Sequence, residues 1–339
     1  MRIIVDTMSG DKGPQEIIKG FIDASLDFGI EVLFVGDENM IKEEVSKYTY
    51  QKDKIEIMHT SEVIENSDDP VASVRHKKDS SICQGLNALN KSGGDVFLSA
   101  GNTGALIAAS TIIIKRLKGV RRIAIAPLIP CQDGCFMLID VGANSECTPA
   151  FLLQFGYMGH IYMKNVMNIQ NPRIGLLNIG KEDGKGTSLT VKTNKILKNT
   201  NLNYVGNIEA REIPFGAAEV VICDGFTGNV VLKLLEGTGR FMSNALNKIF
   251  VKNFFSMIAA FLLKKSFLEF KREIDYKEYG GSPILGLKKH VMKAHGNSDS
   301  KSFYNAAKQA INYFQSNAIE EIKNNILQFG VVEDETESL

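Results

Sequence analysis

The sequence predicts an α/β fold built on a mostly parallel sheet with helices on both faces. Three observations carry this expectation. Apolar β-type runs and helix-type periodicity alternate through most of the 339 residues. The runs are rich in Val and Ile and lack polar alternation, as strands buried on both faces do. Five junctions share one form, in which an apolar run gives way at once to small and polar residues and then to a helix pattern. They are Ile3–Pro14, Val96–Leu106, Met137–Pro149, Ile174–Thr187 and Val220–Val231. In open α/β sheets, ligands bind outside the carboxyl ends of the strands, where these junctions lie. Glycine-rich turns feeding helix N-termini favour an anion there, phosphate above all.

Strand runs are read at Ile3–Asp6, Val32–Val35, Ile55–Met58, Val96–Ser99, Ile123–Leu128, Phe136–Val141, Ile174–Asn178, Tyr204–Ile208 and Val220–Cys223. Helix periodicity lies between many of them, at Gln15–Phe28, Val71–Leu89, Pro149–Met163 and Leu189–Leu197. Pro14 and Pro149 suit first-turn positions. After Gly228 the pattern changes, and Val230–Phe250 reads as one long helix. The longest charge-free apolar stretch beyond it, Phe254–Leu263, is far short of the roughly 20 residues a membrane span needs. Lys248, Lys252, Lys264 and Lys265 flank it and would suit a segment lying in the interface of an anionic membrane. A dimer-interface helix or a core helix fits that composition equally well. The expected organisation is one catalytic domain over residues 1–332, with 245–272 as a helical apolar protrusion and 333–339 as a short, acidic, disordered tail.

Lys plus Arg equals Asp plus Glu at 39 each, so the net charge is zero and no basic field points to nucleic acid. The first residues open directly on a strand, without the charged and apolar regions of a signal peptide, which makes a cytoplasmic enzyme the expectation. The five cysteines, Cys83, Cys131, Cys135, Cys147 and Cys223, are expected to be reduced thiols. Their spacing is not that of a metal site, no His pair stands at metal-ligand spacing, and neither a metal nor a cofactor is expected. Cys223 reads as a core residue and a poor nucleophile.

Several residue sets at the strand ends could carry chemistry. Asp6, Asp140 and Asp224 end or follow strands, where a carboxylate can orient a ligand or simply brace a turn. Asn102, Asn144, Asn178 and Asn229 share that rim, and a side-chain amide can donate to a developing oxyanion without changing charge, although helix capping competes. Gly180–Gly186 sets two lysines among three glycines before a helix, which makes Lys185 a candidate phosphate ligand. His295 stands at a Gly-Asn-Ser turn before another helix and could serve as an acid or an anion ligand. There is no Walker A loop, no G-x-G-x-x-G after the first strand and no nucleophile elbow.

Taken together, Asp6–Pro14, Ser99–Leu106, Asp140–Asn144, Gly175–Gly180 with Gly184–Gly186, Val205–Glu209, Cys223–Lys233, Tyr279–Pro283 and Ala294–Ser298 resemble the motifs of the bacterial phosphate acyltransferase (PlsX) family, in the same order up to about residue 316. At Thr7 and Ser9 the first motif departs from the Ala and Gly usual in that family. The resemblance implies a three-layer α/β/α fold similar to phosphotransacetylase and isopropylmalate dehydrogenase. It implies transfer of a fatty acyl group from acyl carrier protein to inorganic phosphate, by direct attack without a covalent enzyme intermediate, giving acyl-phosphate for phospholipid synthesis. It also implies a homodimer and delivery of the product to a membrane glycerol-3-phosphate acyltransferase, which favours a peripheral, membrane-contacting role for Phe254, Phe255 and Leu262. Under it Lys185, Asn178, Asn229 and His295 are the expected catalytic residues. Gly101, Asn102, Thr103, Gly104, Asn144, Gly184 and Gly186 would meet substrate, with Asp6, Asp140 and Asp224 binding there too and holding these groups in place. The alternatives are a short-chain acyl-CoA:phosphate acyltransferase, a nicotinamide dehydrogenase and a non-catalytic membrane-associated scaffold.

Overall fold

The computed structural model describes residues 1–132, 134–252, 254–263, 265 and 279–329. Strand and helix alternate from the start, through β1 (Arg2–Asp6), α1 (Pro14–Phe28), β2 (Glu31–Gly36), α2 (Glu38–Val45), β3 (Ile55–His59), α3 (Pro70–His76), α4 (Ser81–Asn90), β4 (Val96–Ser99) and α5 (Thr103–Ile113). The middle of the chain forms β5 (Ala124–Ile125), β6 (Leu128–Cys131), β7 (Gly134–Ile139), α6 (Pro149–Asn165), β8 (Ile174–Asn178), α7 (Ser188–Leu197), β9 (Tyr204–Glu209) and β10 (Val220–Ile222). Then come α8 (Gly225–Phe250), α9 (Phe254–Leu262), β11 (Gly281–Leu285), β12 (His290–Ala294), α10 (Ser300–Gln315) and α11 (Ala318–Phe329).

Among the described residues the strands form two mostly parallel sheets, ordered β3-β2-β1-β4-β12-β11-β5 and β6-β7-β10-β8-β9. The fold is α/β, with helices on both sides, as the sequence predicts. Strand alternation explains how both faces are filled. Ile3, Val5, Val96, Leu98, Met137 and Ile139 enter one apolar core, whereas Ile4, Phe97, Phe136 and Leu138 enter the other. Each core runs across both sheets, so neither sheet buries its faces alone.

The run at Ile123–Leu128 is not one strand but the crossing between the sheets. Ile125 and Ala124 pair antiparallel with β11, and Leu128 pairs antiparallel with Met137 of β7. Leu138 N–H donates to the Pro127 carbonyl (3.1 Å) and Val141 N–H to that of Ile125 (3.2 Å), continuing the ladder through the crossing. The periodicity at Val71–Leu89 likewise resolves into two helices, α3 and α4, the second opened by Ser80 as N-cap. Two strands have no counterpart in the sequence reading. β11 begins with Gly281 and carries Pro283 inside it, and β12 begins with His290, so neither has a Val- and Ile-rich run.

Asp140 ties the crossing down. Its carboxylate is fully buried and accepts from the N–H groups of Ile125 (2.9 Å), Ala143 (3.2 Å) and Asn144 (2.7 Å) and from the Asn144 side-chain amide (3.0 Å). Replacing Asp140 by Asn turns one acceptor oxygen into an NH₂ that faces other donors. We expect Asp140→Asn to lower unfolding free energy by about 2–4 kcal/mol, read as a lower urea midpoint with an unchanged slope.

Candidate active site

The first sheet contributes its rim at the ends of β1, β4 and β12. Asp6 is buried; it accepts from Ser99 Oγ (2.6 Å) and the Met8 N–H (3.1 Å). Burial raises its carboxyl above the ordinary value against these hydrogen bonds. The unusual Ser9 knits the same rim, donating its hydroxyl to the Asp6 carbonyl (3.1 Å) and accepting from the Ala100 N–H (3.1 Å). Asn102 caps α5 through the Ala105 N–H (3.0 Å), and its amide donates to the carbonyl of Glu65 (3.2 Å). That side chain is spent inside the fold, while its neighbours Gly101 and Thr103 face open space. Gly104 packs closely on Pro70.

The second sheet contributes the ends of β7 and β10. Asp224 caps α8, accepting from the Thr227 N–H (2.9 Å) and hydroxyl (2.7 Å). Asn144 donates to the Ile123 carbonyl (2.8 Å) as well as to Asp140. One turn into α8, Gly228 lies against the Asp140 main chain so closely that a Cβ would run into the carbonyl oxygen. This contact sets the angle at which α8 leaves the sheet. It places Asn229 and Lys233, one turn apart, over the gap between the sheets.

That gap is an open cleft of about 410 Å³. Gly101 and Thr103 border it from the first sheet, Val141 and Gly142 from the second, Asn229 and Lys233 from α8, and Lys293 and His295 from the end of β12. Of the expected site residues, the cleft therefore gathers Gly101, Thr103, Asn229 and His295. It adds three charged groups that sequence reasoning passed over, Asp11, Lys233 and Lys293. Glu236 lines a narrower pocket of about 50 Å³ beside Pro127–Ile129, which shares Lys293 and His295 with the cleft. The Glu236 side chain is 4% exposed, and it accepts from Lys233 Nζ (3.0 Å) and faces His295 Nε2 (3.2 Å). Burial alone would raise the Glu236 carboxyl, but His295 and Lys233 outweigh it and hold it below the ordinary value. His295 Nδ1 accepts from the Asn297 N–H (3.2 Å), which leaves the ring proton on Nε2, toward Glu236.

The structure does not bring Lys185 or Asn178 to this cleft. Asn178 donates to the Lys185 carbonyl (3.0 Å) and accepts from the Ile179 N–H (2.8 Å). Gly186, with a φ of 94°, packs on the Asn178 amide, where a side chain would not fit. Gly184 and Lys185 are exposed on this loop, outside the residues that border the cleft. The glycines and the amide serve the turn between β8 and α7. Cys223 is buried, and desolvation first, then Asp140 and Asp224, push its thiol well above the usual value.

Residues 1–321 match the family described as Fatty acid synthesis protein. The chain is 45% identical over 329 residues to the phosphate acyltransferase of Clostridium novyi (strain NT), covering 97% of this chain and 99% of that one. The chain belongs to the phosphate acyltransferase family. It is accordingly an acyltransferase. The fold is similar to that of a phosphotransacetylase from Streptococcus pyogenes, with a TM-score of 0.60 at 16% identity over 94% of each chain. It is also similar to a 4-hydroxythreonine-4-phosphate dehydrogenase from Klebsiella pneumoniae, with a TM-score of 0.53 at 12% identity over 93% of this chain and 99% of that one. These likenesses concern the fold.

The Glu236 carboxyl carries a testable pH signature. A carboxyl held below its ordinary value of 4.5 adds stability above that pH and loses it as the pH falls through the lowered value. Glu236→Gln should therefore melt below wild type at neutral pH, and the gap should close on acidification below pH 4.5. Thermal unfolding across that range measures it.

Proposed function

We propose that this phosphate acyltransferase moves a fatty acyl group from acyl carrier protein to inorganic phosphate, releasing acyl-phosphate and the carrier thiol. The observation that carries this reading is the cleft itself. Lys233 and His295 meet Asn229 and the Gly101–Thr103 turn there, from two sheets and a helix. A phosphate dianion suits that set, since an ammonium, an amide and the N-terminal turn of α5 all donate hydrogen bonds to it. Phosphate is already a nucleophile, so the enzyme's task is to align it with the thioester carbonyl and stabilise the oxyanion that forms. Attack is direct, without a covalent enzyme intermediate. Asn229 is the oxyanion donor in this scheme. Lys185 and Asn178 order the neighbouring loop, a revision of the roles expected from sequence.

Incubation with long-chain acyl carrier protein and phosphate should give acyl-phosphate, and acetyl-CoA should serve poorly as donor. Equal use of acetyl-CoA would favour the short-chain reading. Lys233→Ala should raise the phosphate KM about 10–100-fold, the cost of one charge-assisted contact, while Lys185→Ala changes it less than about threefold. The reverse order would return phosphate to the glycine loop.

The acyl-phosphate product suits delivery to a membrane glycerol-3-phosphate acyltransferase, and exposed apolar surface supports contact with an anionic membrane. In α9, Phe255 is 81% and Leu262 74% exposed, and no helix among the described residues is long and apolar enough to cross a bilayer. The side chain of Phe254, residues 266–272 of the expected protrusion and the tail at 333–339 lie outside what the structure describes. On α8, Phe226, Val230, Leu234 and Phe241 form an exposed apolar stripe that would suit the second subunit of a homodimer. Replacing Phe255, Phe261 and Leu262 by Ser should release the protein from anionic vesicles in flotation while the sedimentation coefficient stays unchanged. Loss of the dimer instead would assign α9 to the subunit interface.

A further inference from the structure

The proposed reaction has a proton to move. A hydrogen phosphate dianion and a thioester become an acyl-phosphate dianion and a thiol, so the proton that leaves the phosphate must arrive on sulfur. A group that relays it must face the cleft, must not be held in an ion pair, and must change protonation near ambient pH.

Three basic side chains from the cleft can be compared. The His295 ring is engaged at both nitrogens, accepting from the Asn297 N–H (3.2 Å) at Nδ1 and facing Glu236 (3.2 Å) with Nε2. Lys233 is paired with Glu236 (3.0 Å). Lys293 differs from both. It borders the cleft and the narrower pocket beside it. Its ammonium is held by main-chain carbonyls, those of Ala100 (3.1 Å) and Ala294, and no ion pair to a carboxylate holds it among the described residues. Charged and titratable neighbours surround it, with Asp6 and Asp11 from β1 and the turn after it, Lys233 and Glu236 from α8, and His295 two residues on. Burial pushes the amine down to about 8; the field of Lys233 adds to that, and Asp6 and Asp11 oppose it.

We propose that Lys293 carries the proton from the attacking phosphate to the leaving sulfur. A phosphate oxygen forms its bond to the acyl carbon. The carbon–sulfur bond breaks with its electron pair going to sulfur, and the Lys293 ammonium gives sulfur a proton. The neutral amine then takes the proton of the phosphate hydroxyl and is restored. The site needs no water and no second base for this cycle.

The inference rests on the acyl-phosphate reading, and the test separates the two. Acyl-phosphate formation by the full chain is measured against pH, for wild type and Lys293→Arg. Donors are acyl carrier protein and fatty acyl thioesters whose leaving thiols range from alkyl to the far more acidic aryl type. Wild-type kcat should fall above about pH 8 and depend weakly on the leaving thiol. Lys293→Arg keeps the charge but cannot give up its proton and become neutral at these pH values. It should lose about 100-fold or more in kcat on alkyl thioesters, keep the phosphate KM within about threefold, and recover on aryl thioesters, whose thiolates leave without protonation. Equal losses on both donor types, or an alkaline limb that persists in Lys293→Arg, would overturn the role. Should the variant not fold, a steep dependence of the wild-type rate on the leaving thiol would overturn it alone. A wild-type enzyme that makes acyl-phosphate from no donor would bring down the acyl-phosphate reading, and this inference with it.

Discussion

The fold turns on one buried carboxylate. Asp140 stands where the chain has crossed from one sheet to the other, and four N–H donors converge on it from the crossing strand and from the turn that follows β7. Without that acceptor, donors on both sides of the sheet boundary would be buried and unsatisfied, at about 1–3 kcal/mol each. Because Gly228 rests on the main chain of the same residue, the anchor also sets where α8 begins. The cleft is the space left over when two sheets are joined at this point and a helix leaves across the gap.

Charge inside the cleft follows the same logic. Two lysines near one another repel, and nothing in sheet geometry alone would collect them. Glu236, buried on a helix whose other residues are mostly exposed, offsets the charge of Lys233 and fixes the ring of His295. Lys293 receives no such partner and relies on carbonyl dipoles. The two lysines thus differ in what holds them, and in what each is free to do when an anion arrives.

Much of the fold was legible because both sheet faces are buried, so strands such as Val96–Ser99 and Val220–Ile222 stand out as apolar runs with turn residues after them. β11 and β12 were not, since glycine, proline and histidine in them hide the period that burial imposes. The candidate site was legible in part. Gly101, Thr103, Asn229 and His295 carry junction signatures and do border the cleft. Lys233, Glu236 and Lys293 carry none, because a charge at helical or strand spacing looks the same whether it faces solvent or a ligand. Lys185 stands apart, exposed on a loop outside the residues that border the cleft. Glycines beside lysines suggest a phosphate cradle, yet here the glycines let the chain wrap around the Asn178 amide. Asn102 and Asp224 turned out to serve as helix caps, a competing explanation that residue type alone could not dismiss.

Helix α8 has 26 residues, about 39 Å of rod at 1.5 Å per residue. Within it only Gly225, Gly228 and Glu236 are buried, all in its first half, and it leads on to the apolar α9. A stiff beam gripped at one end acts as a lever with its fulcrum at Gly228. Displacement along such a beam grows with distance from the fulcrum, so Asn229 and Lys233, close to Gly228, keep their places at the cleft while the apolar tip takes up contacts of its own.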